Sequence, residues 1–158
     1  MTDEPATDLT VDAVVGRLAE VRAAVRTYAR AAGANEEAVS DLVQAVDELA
    51  CNVIEHGYRG TTGSIHIAMT AAADTIQVRI RDAAPAFDPR SVAEPRLDLP
   101  LDQRPLGGMG VHLARALTDG MDHRILPGGG NETTVTKRLR PTDARESDDG
   151  HHDGTAQP

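Results

Sequence analysis

Glu48 and Asn52 stand four residues apart in the run Asp47-Glu48-Leu49-Ala50-Cys51-Asn52-Val53, and His56 extends the row by four more. On a helix, that spacing brings the side chains to one neighbourhood of its surface. A carboxylate there can orient or deprotonate a nucleophile, and an amide oxygen can ligate magnesium, a hard cation that prefers oxygen donors and keeps several waters. Asp82 closes an alternating run and is followed by Ala83, Ala84 and Pro85, then by Phe87, Asp88 and Pro89. Such a carboxylate can accept a hydrogen bond from an exocyclic amine, and an apolar wall beside it can bury a base. The run Gly107, Gly108, Met109, Gly110 lets backbone amides approach an anion, and the apolar helical pattern after it directs a positive dipole end to the same place. Phosphate is the natural guest.

Each feature also has a plainer reading. Glu48 and Asn52 fit a solvated helix face, with His56 at the helix C-terminus where its charge is favourable. Asp82 fits a strand-end residue that starts a turn, and a glycine run fits any flexible loop before a helix. The run is neither a P-loop, which needs Lys and Ser or Thr after its last glycine, nor a dinucleotide fingerprint after a strand. His56, His66, His112 and His123 are scattered, and His151 with His152 lies in the tail, so a structural or incidental role is expected of all six histidines. Cys51 and Ser91 lack a recognisable nucleophile-base setting.

The elements that must carry these residues are legible from periodicity. Val11, Val14, Val15, Leu18, Val21, Val25 and Tyr28 recur at helical spacing, with a short strand expected around Asp8 to Val11 and a C-terminal cap at Gly33. Asn35 then offers an N-cap, with Glu36 and Glu37 in the first turn, for a second helix that buries Val39, Leu42, Val43, Val46, Leu49, Ala50 and Val53 and frays around His56 and Gly57. Ser64 to Ala72 and Thr75 to Asp82 alternate and form an antiparallel hairpin about Ala73 and Asp74. The stretch from Ala83 to Leu106, with Pro85, Pro89, Pro95, Pro100 and Pro105, resists both helix and strand. A short helix through Val111, Leu113 and Leu117 follows, then strands at about Met121 to Leu126 and Thr133 to Leu139 joined by the turn Pro127 to Asn131. These elements form one domain over residues 9–140, between a flexible tail of residues 1–8 and a disordered acidic tail of residues 141–158.

Composition narrows the function. The 158 residues suit one core, and aromatics at 2% mean that Val, Leu, Ile and Ala must build it. A net charge of -9 argues against a nucleic-acid surface. One cysteine excludes an internal disulfide framework, and neither a leader nor a bilayer-length apolar run is visible, so a cytoplasmic protein away from membranes is expected.

Taken in order, Asp47 to Tyr58, then Asp82 to Pro89, then Arg104-Pro105-Leu106-Gly107-Gly108-Met109-Gly110-Val111-His112-Leu113, the chain resembles the anti-sigma regulatory factor serine/threonine-protein kinases. These belong to the histidine-kinase-like ATPase superfamily with the Bergerat fold. The match runs from about Val11 to Leu139. The resemblance implies an α/β fold, a two-layer sandwich with helices on one face of a mixed, mostly antiparallel sheet, and ATP between the second helix and a lid from Ser91 to Leu106. It implies Glu48 as general base, Asn52 as magnesium ligand and Asp82 as the adenine-recognising carboxylate. Phe87 accompanies the adenine motif, Gly107, Gly108, Met109 and Gly110 form the phosphate-facing run, and Arg104 is a phosphate contact. One departure stands out: the family often has glycine where this chain has Ala84 and Ala86, which predicts weaker nucleotide binding or another loop path.

The implied function is phosphoryl transfer from ATP to Ser or Thr of a STAS-domain anti-anti-sigma protein, coupled to capture of a sigma factor, in a protein of a family that often forms homodimers. A nucleotide-binding or nucleotide-free regulatory module without kinase turnover is the alternative. A plain α/β interaction domain, which predicts no ATP binding, is the third.

Overall fold

The computed structural model describes residues 7–91, 98–103 and 109–140. Its centre is the hairpin expected from period-two alternation, β2 (Ser64–Ala72) and β3 (Thr75–Asp82), in register from Ile65 opposite Asp82 to Ala72 opposite Thr75. Ile65, Ile67, Met69, Ile76, Val78 and Ile80 all point to one side and are buried. β5 (Asn131–Arg138) pairs with β3 and β4 (Gly120–Ile125) with β5, while β1 (Thr7–Asp12) adds to β2. The order is β1-β2-β3-β5-β4.

All pairings among the described strands are antiparallel, so the sheet is antiparallel where a mixed one was implied. The reason is topological. β4 runs in the same direction as β3, but β5 lies between them, so two parallel strands never become neighbours.

Helices α1 (Leu18–Ala31), α2 (Glu36–Asn52) and α3 (Met109–Leu117) supply the other layer. Leu18, Val21 and Val25 of α1, Leu42, Val46 and Leu49 of α2, and Val111 and Ala114 of α3 join the buried sheet face in one aliphatic core. The expected two-layer α/β sandwich is the fold. α1 starts later than the spacing suggests, because Val11 pairs with Ile65 in β1 while Val14 and Val15 are 52% and 59% exposed beside a 3-10 turn, Val15–Arg17. The ladder to β2 satisfies this segment's backbone groups, and that outweighs apolar spacing also compatible with a helix. Asn35 caps α2 as expected, its side chain accepting from the Ala38 N–H at 2.8 Å. The end of α2 does not fray: a π-helical turn, Val53–Tyr58, continues it and stops at Arg59, whose φ of 51° is left-handed. After β3, the described residues hold only the 3-10 turns Pro89–Ser91 and Leu101–Gln103 before α3. Residues 92–97, most of the expected lid's remainder, and the tail from 141 lie outside the described residues.

The second face of the sheet is polar. There Glu132, 8% exposed, takes Arg124 Nε at 2.7 Å and also pairs with Arg81. Hydrogen bonding from Arg124, reinforced by Arg81 and opposed by burial, holds the Glu132 carboxyl down to about 2. A lowered carboxyl stabilises the fold in full above its unfolded value and loses that contribution as the pH falls through the folded value. Glu132→Gln should therefore cost about 1–2 kcal/mol at pH 7, below the roughly 3 kcal/mol that the full shift would represent, because both guanidiniums are largely solvated and screened. In urea melts the difference from the wild type should shrink between pH 5 and pH 2; a penalty that stayed constant over that range would contradict the ion-pair account.

Candidate nucleotide-binding site

A cleft opens where the end of α2 and its π turn face the segment leaving β3. Its cavity is small, about 30 Å³, and open to solvent, and its lining includes Leu49, Asn52, Gly57, Asp82, Phe87 and Thr133. Asn52 is half-buried at the last residue of α2, one helical turn beyond half-buried Glu48. The core stripe of α2 fixes the helix rotation, and this row falls beside the stripe instead of within it.

Asp82 is the last residue of β3 and is only 8% exposed. Its Oδ1 accepts from Asn131 Nδ2 at 2.9 Å and from the Ala84 N–H at 3.0 Å. Burial pushes its pKa up, opposed by those two hydrogen bonds and by the proximity of His123. No described residue donates to Oδ2. A carboxylate with one oxygen anchored in this way can present the other to an amine donor.

Two groups hold the backbone beneath it. The Tyr58 hydroxyl accepts from the Ala83 N–H at 2.8 Å and donates to the Ser64 carbonyl at 2.7 Å, tying the π turn to both strands of the hairpin. Gly130, at φ 95°, lies so close to the Asp82 carbonyl that a Cβ there would overlap it. Neither Ala84 nor Ala86 has a positive φ, since Arg59 and Ala73 are the non-glycine residues that do among those described. Ala84 is buried, with its methyl against Gly57. The loop thus follows a path open to any L-residue, and alanine in place of glycine introduces no backbone strain there.

α3 brings Gly110, in its first turn, against Glu48. Lys137 Nζ donates to the Leu117 carbonyl at 2.8 Å and to Asp41 of α2 at 2.9 Å, and Arg115 donates to the Pro89 carbonyl at 3.1 Å. With its last turn anchored, the helix directs its first turn at Glu48: a Cβ on Gly110 would lie 2.6 Å from Glu48 Oε2. Glycine is the residue that fits so near that carboxylate. Sequence reasoning thus picked out Glu48, Asn52, Asp82, Phe87 and Gly110, which the fold gathers at one end of α2, with Phe87 43% exposed at the rim. Met109 begins α3, while Arg104, Gly107 and Gly108 lie outside the described residues. Sequence reasoning missed Tyr58, Gly130, Asn131 and Thr133, whose places depend on contacts between distant segments of the chain.

The histidine kinase-like ATPase domain model matches residues 11–137. The chain belongs to that family. The Serine-protein kinase RsbW of Bacillus cereus (strain ATCC 10987 / NRS 248) is 23% identical over 137 residues, 84% of either chain. That of Bacillus thuringiensis subsp. konkukian (strain 97-27) is equally similar over the same span. Among solved structures, the RsbU and RsbW domains of Rv1364c from Mycobacterium tuberculosis superpose with a TM-score of 0.62 at 27% identity, over 87% of this chain. The match spans 34% of that longer chain. The resemblance drawn from the three motifs is therefore borne out at the level of the RsbW-type family and of the ATPase fold. Among the described residues, no helix is long and apolar enough to cross a membrane.

For a histidine kinase-like ATPase domain of this build, Gly130 is a sharp probe of the cleft floor. Gly130→Ala combines a left-handed φ with overlap on the Asp82 carbonyl and should cost about 2 kcal/mol or more in chemical denaturation. Gly128→Ala, which shares the positive φ but has open space around it, should cost less; equal costs would remove the close contact from the explanation.

Proposed function

We propose that the chain binds ATP with magnesium in this cleft and transfers the γ-phosphoryl group to Ser or Thr of a STAS-domain anti-anti-sigma protein, while capturing a sigma factor. The observation that carries the nucleotide reading is the buried Asp82 carboxylate, which the described residues anchor through Oδ1, beside an apolar lining. A 6-amino group satisfies the other oxygen, and the purine ring replaces water against Leu49, Val53 and Phe87. The donor set fits a magnesium ion as well, since Asn52 offers a hard amide oxygen at the cleft wall. Bound there, the ion would neutralise charge on the phosphates.

Glu48 accepts or orients the proton of the incoming hydroxyl. Its place against the first turn of α3 sets it beside backbone amides suited to phosphate, so the nucleophile and the transferring group share one locus. Gly107, Gly108 and Gly110 provide close backbone approach, Met109 lies within that run, and Arg104 adds a cationic contact. The name of the RsbW relatives supports the serine-kinase assignment; a partner-switching role with an antagonist and a sigma factor, and a homodimer in the cytoplasm, complete the proposal.

Calorimetry should show saturable ATP binding that requires Asp82 and is weakened in Asn52→Ala. With a cognate STAS protein, Glu48→Gln should slow magnesium-dependent transfer of labelled phosphate by about 10²–10⁴-fold while leaving ATP affinity within a few-fold of the wild type. Tight ATP binding with no transfer to any cognate partner would instead favour a regulatory module that works by occupancy.

A further inference from the structure

We propose that Asn131 is a positioning residue for base recognition: it fixes the Asp82 carboxylate, and the segment from Asp82 to Phe87, in the geometry that reads an exocyclic amine. This inference rests on the nucleotide reading above.

Asn131 is the first residue of β5, directly opposite Asp82 in the register, and is 5% exposed. Its Nδ2 lies 2.9 Å from Asp82 Oδ1, 3.1 Å from the Pro85 carbonyl and 3.3 Å from the Ala84 carbonyl. Its Oδ1 accepts from the Phe87 N–H at 2.8 Å and stands 3.1 Å from His123 Nε2. Two amide protons are thus spread over three oxygens, and both lone pairs of the carbonyl oxygen are engaged. The amide has one workable orientation. Reversing it would set its oxygen against three acceptors and its protons against the Phe87 N–H.

That orientation propagates outward. Because Asn131 Oδ1 is an acceptor, His123 donates through Nε2, and its ring, with a side chain 3% exposed, closes the network from β4. Asp88 Oδ1 lies 3.9 Å from the other ring nitrogen and is itself bound by Arg90. Among the described residues, Asn131 is the one side chain that hydrogen-bonds the Asp82 carboxylate. It also bonds the backbone at Ala84, Pro85 and Phe87 along one side of the cleft. Tyr58 and Gly130 hold the backbone of Asp82 and Ala83, but the aim of the carboxylate depends on Asn131. A buried amide bonded on both its nitrogen and its oxygen favours one arrangement, and losing it leaves several polar groups without partners.

The test compares ATP with purine riboside triphosphate, which lacks the 6-amino group, as ligands of the full chain. The wild type should prefer ATP. Asn131→Ala should lose roughly tenfold in ATP affinity, the scale of one well-made hydrogen bond, while affinity for the analogue stays put, so that the preference collapses. In an Asp82→Ala background, the same substitution should change neither ligand. Asn131→Ser, milder in its effect on folding, should move the ratio in the same direction, and circular dichroism should confirm that each variant is folded. A folded variant that weakens both nucleotides by one factor, or neither, overturns the positioning role and leaves the nucleotide reading intact. A wild type that binds no ATP overturns that reading, and the proposal with it.

Discussion

Burying one carboxylate is the constraint around which this end of the fold is arranged. Asp82 ends the central strand of the sheet, where a charge removed from water must be matched by hydrogen bonds or be neutralised. Burial raises its pKa, and Asn131, the Ala84 N–H and the nearby His123 oppose that rise. Each partner comes from a different part of the chain. Asn131 arrives through the β3–β5 register, His123 through β4, and the supporting Tyr58 through the π turn after α2. Moving the β3–β5 pairing by one residue would turn Asn131 to the other face of the sheet and leave Asp82 without its side-chain partner.

α2 meets a second requirement. Leu42, Val46, Leu49 and Ala50 bury one side of it against the sheet and its neighbouring helices, each large side chain contributing about 1.5–3 kcal/mol of transfer energy. That burial fixes the rotation of the helix, and the rotation leaves Glu48 and Asn52 half-buried instead of fully solvated, with Asn52 on the cleft wall. α3 is fixed differently, by Lys137 and Arg115 on its exit side, with its first turn placed against Glu48 by the absence of a side chain at Gly110. Packing therefore places the carboxylate, and a small set of polar ties places the helix end that faces it.

Much of this was legible in the sequence because it is periodic or local. The alternation of Ile65, Ile67 and Met69 against Ile76, Val78 and Ile80 reads as a hairpin, and Glu48 with Asn52 reads as a shared helix face. Val11, Val14 and Val15 misled because their spacing fits a helix while the edge of β2 offers Val11 a ladder. At Ala84 and Ala86, where glycine would suggest a positive φ, the chain turns without one, and the methyl of Ala84 occupies the space beside Gly57. Asn131 and Gly130 gave no local signal beyond a turn. Their roles exist only once β5 is in register with β3, and register is a property of two distant segments together.

The charge of the cleft bears on how a nucleotide would be held. Asp82 lines the cleft and Glu48 stands one helical turn before the lining residue Asn52, both acidic, and the described residues that line the cleft include neither Lys nor Arg. The overall charge of -9 adds a repulsive background for a polyphosphate. Beside the proposed Arg104 contact, affinity in this reading would rest on burial of the base against Leu49, Val53 and Phe87, the amine bond to Asp82, and the dipole at the first turn of α3. A metal ion with the triphosphate supplies the remaining compensation. In that reading Asn52 has weight beyond its size, because a neutral amide on the wall would favour a hydrated cation without adding a third negative charge beside the phosphates.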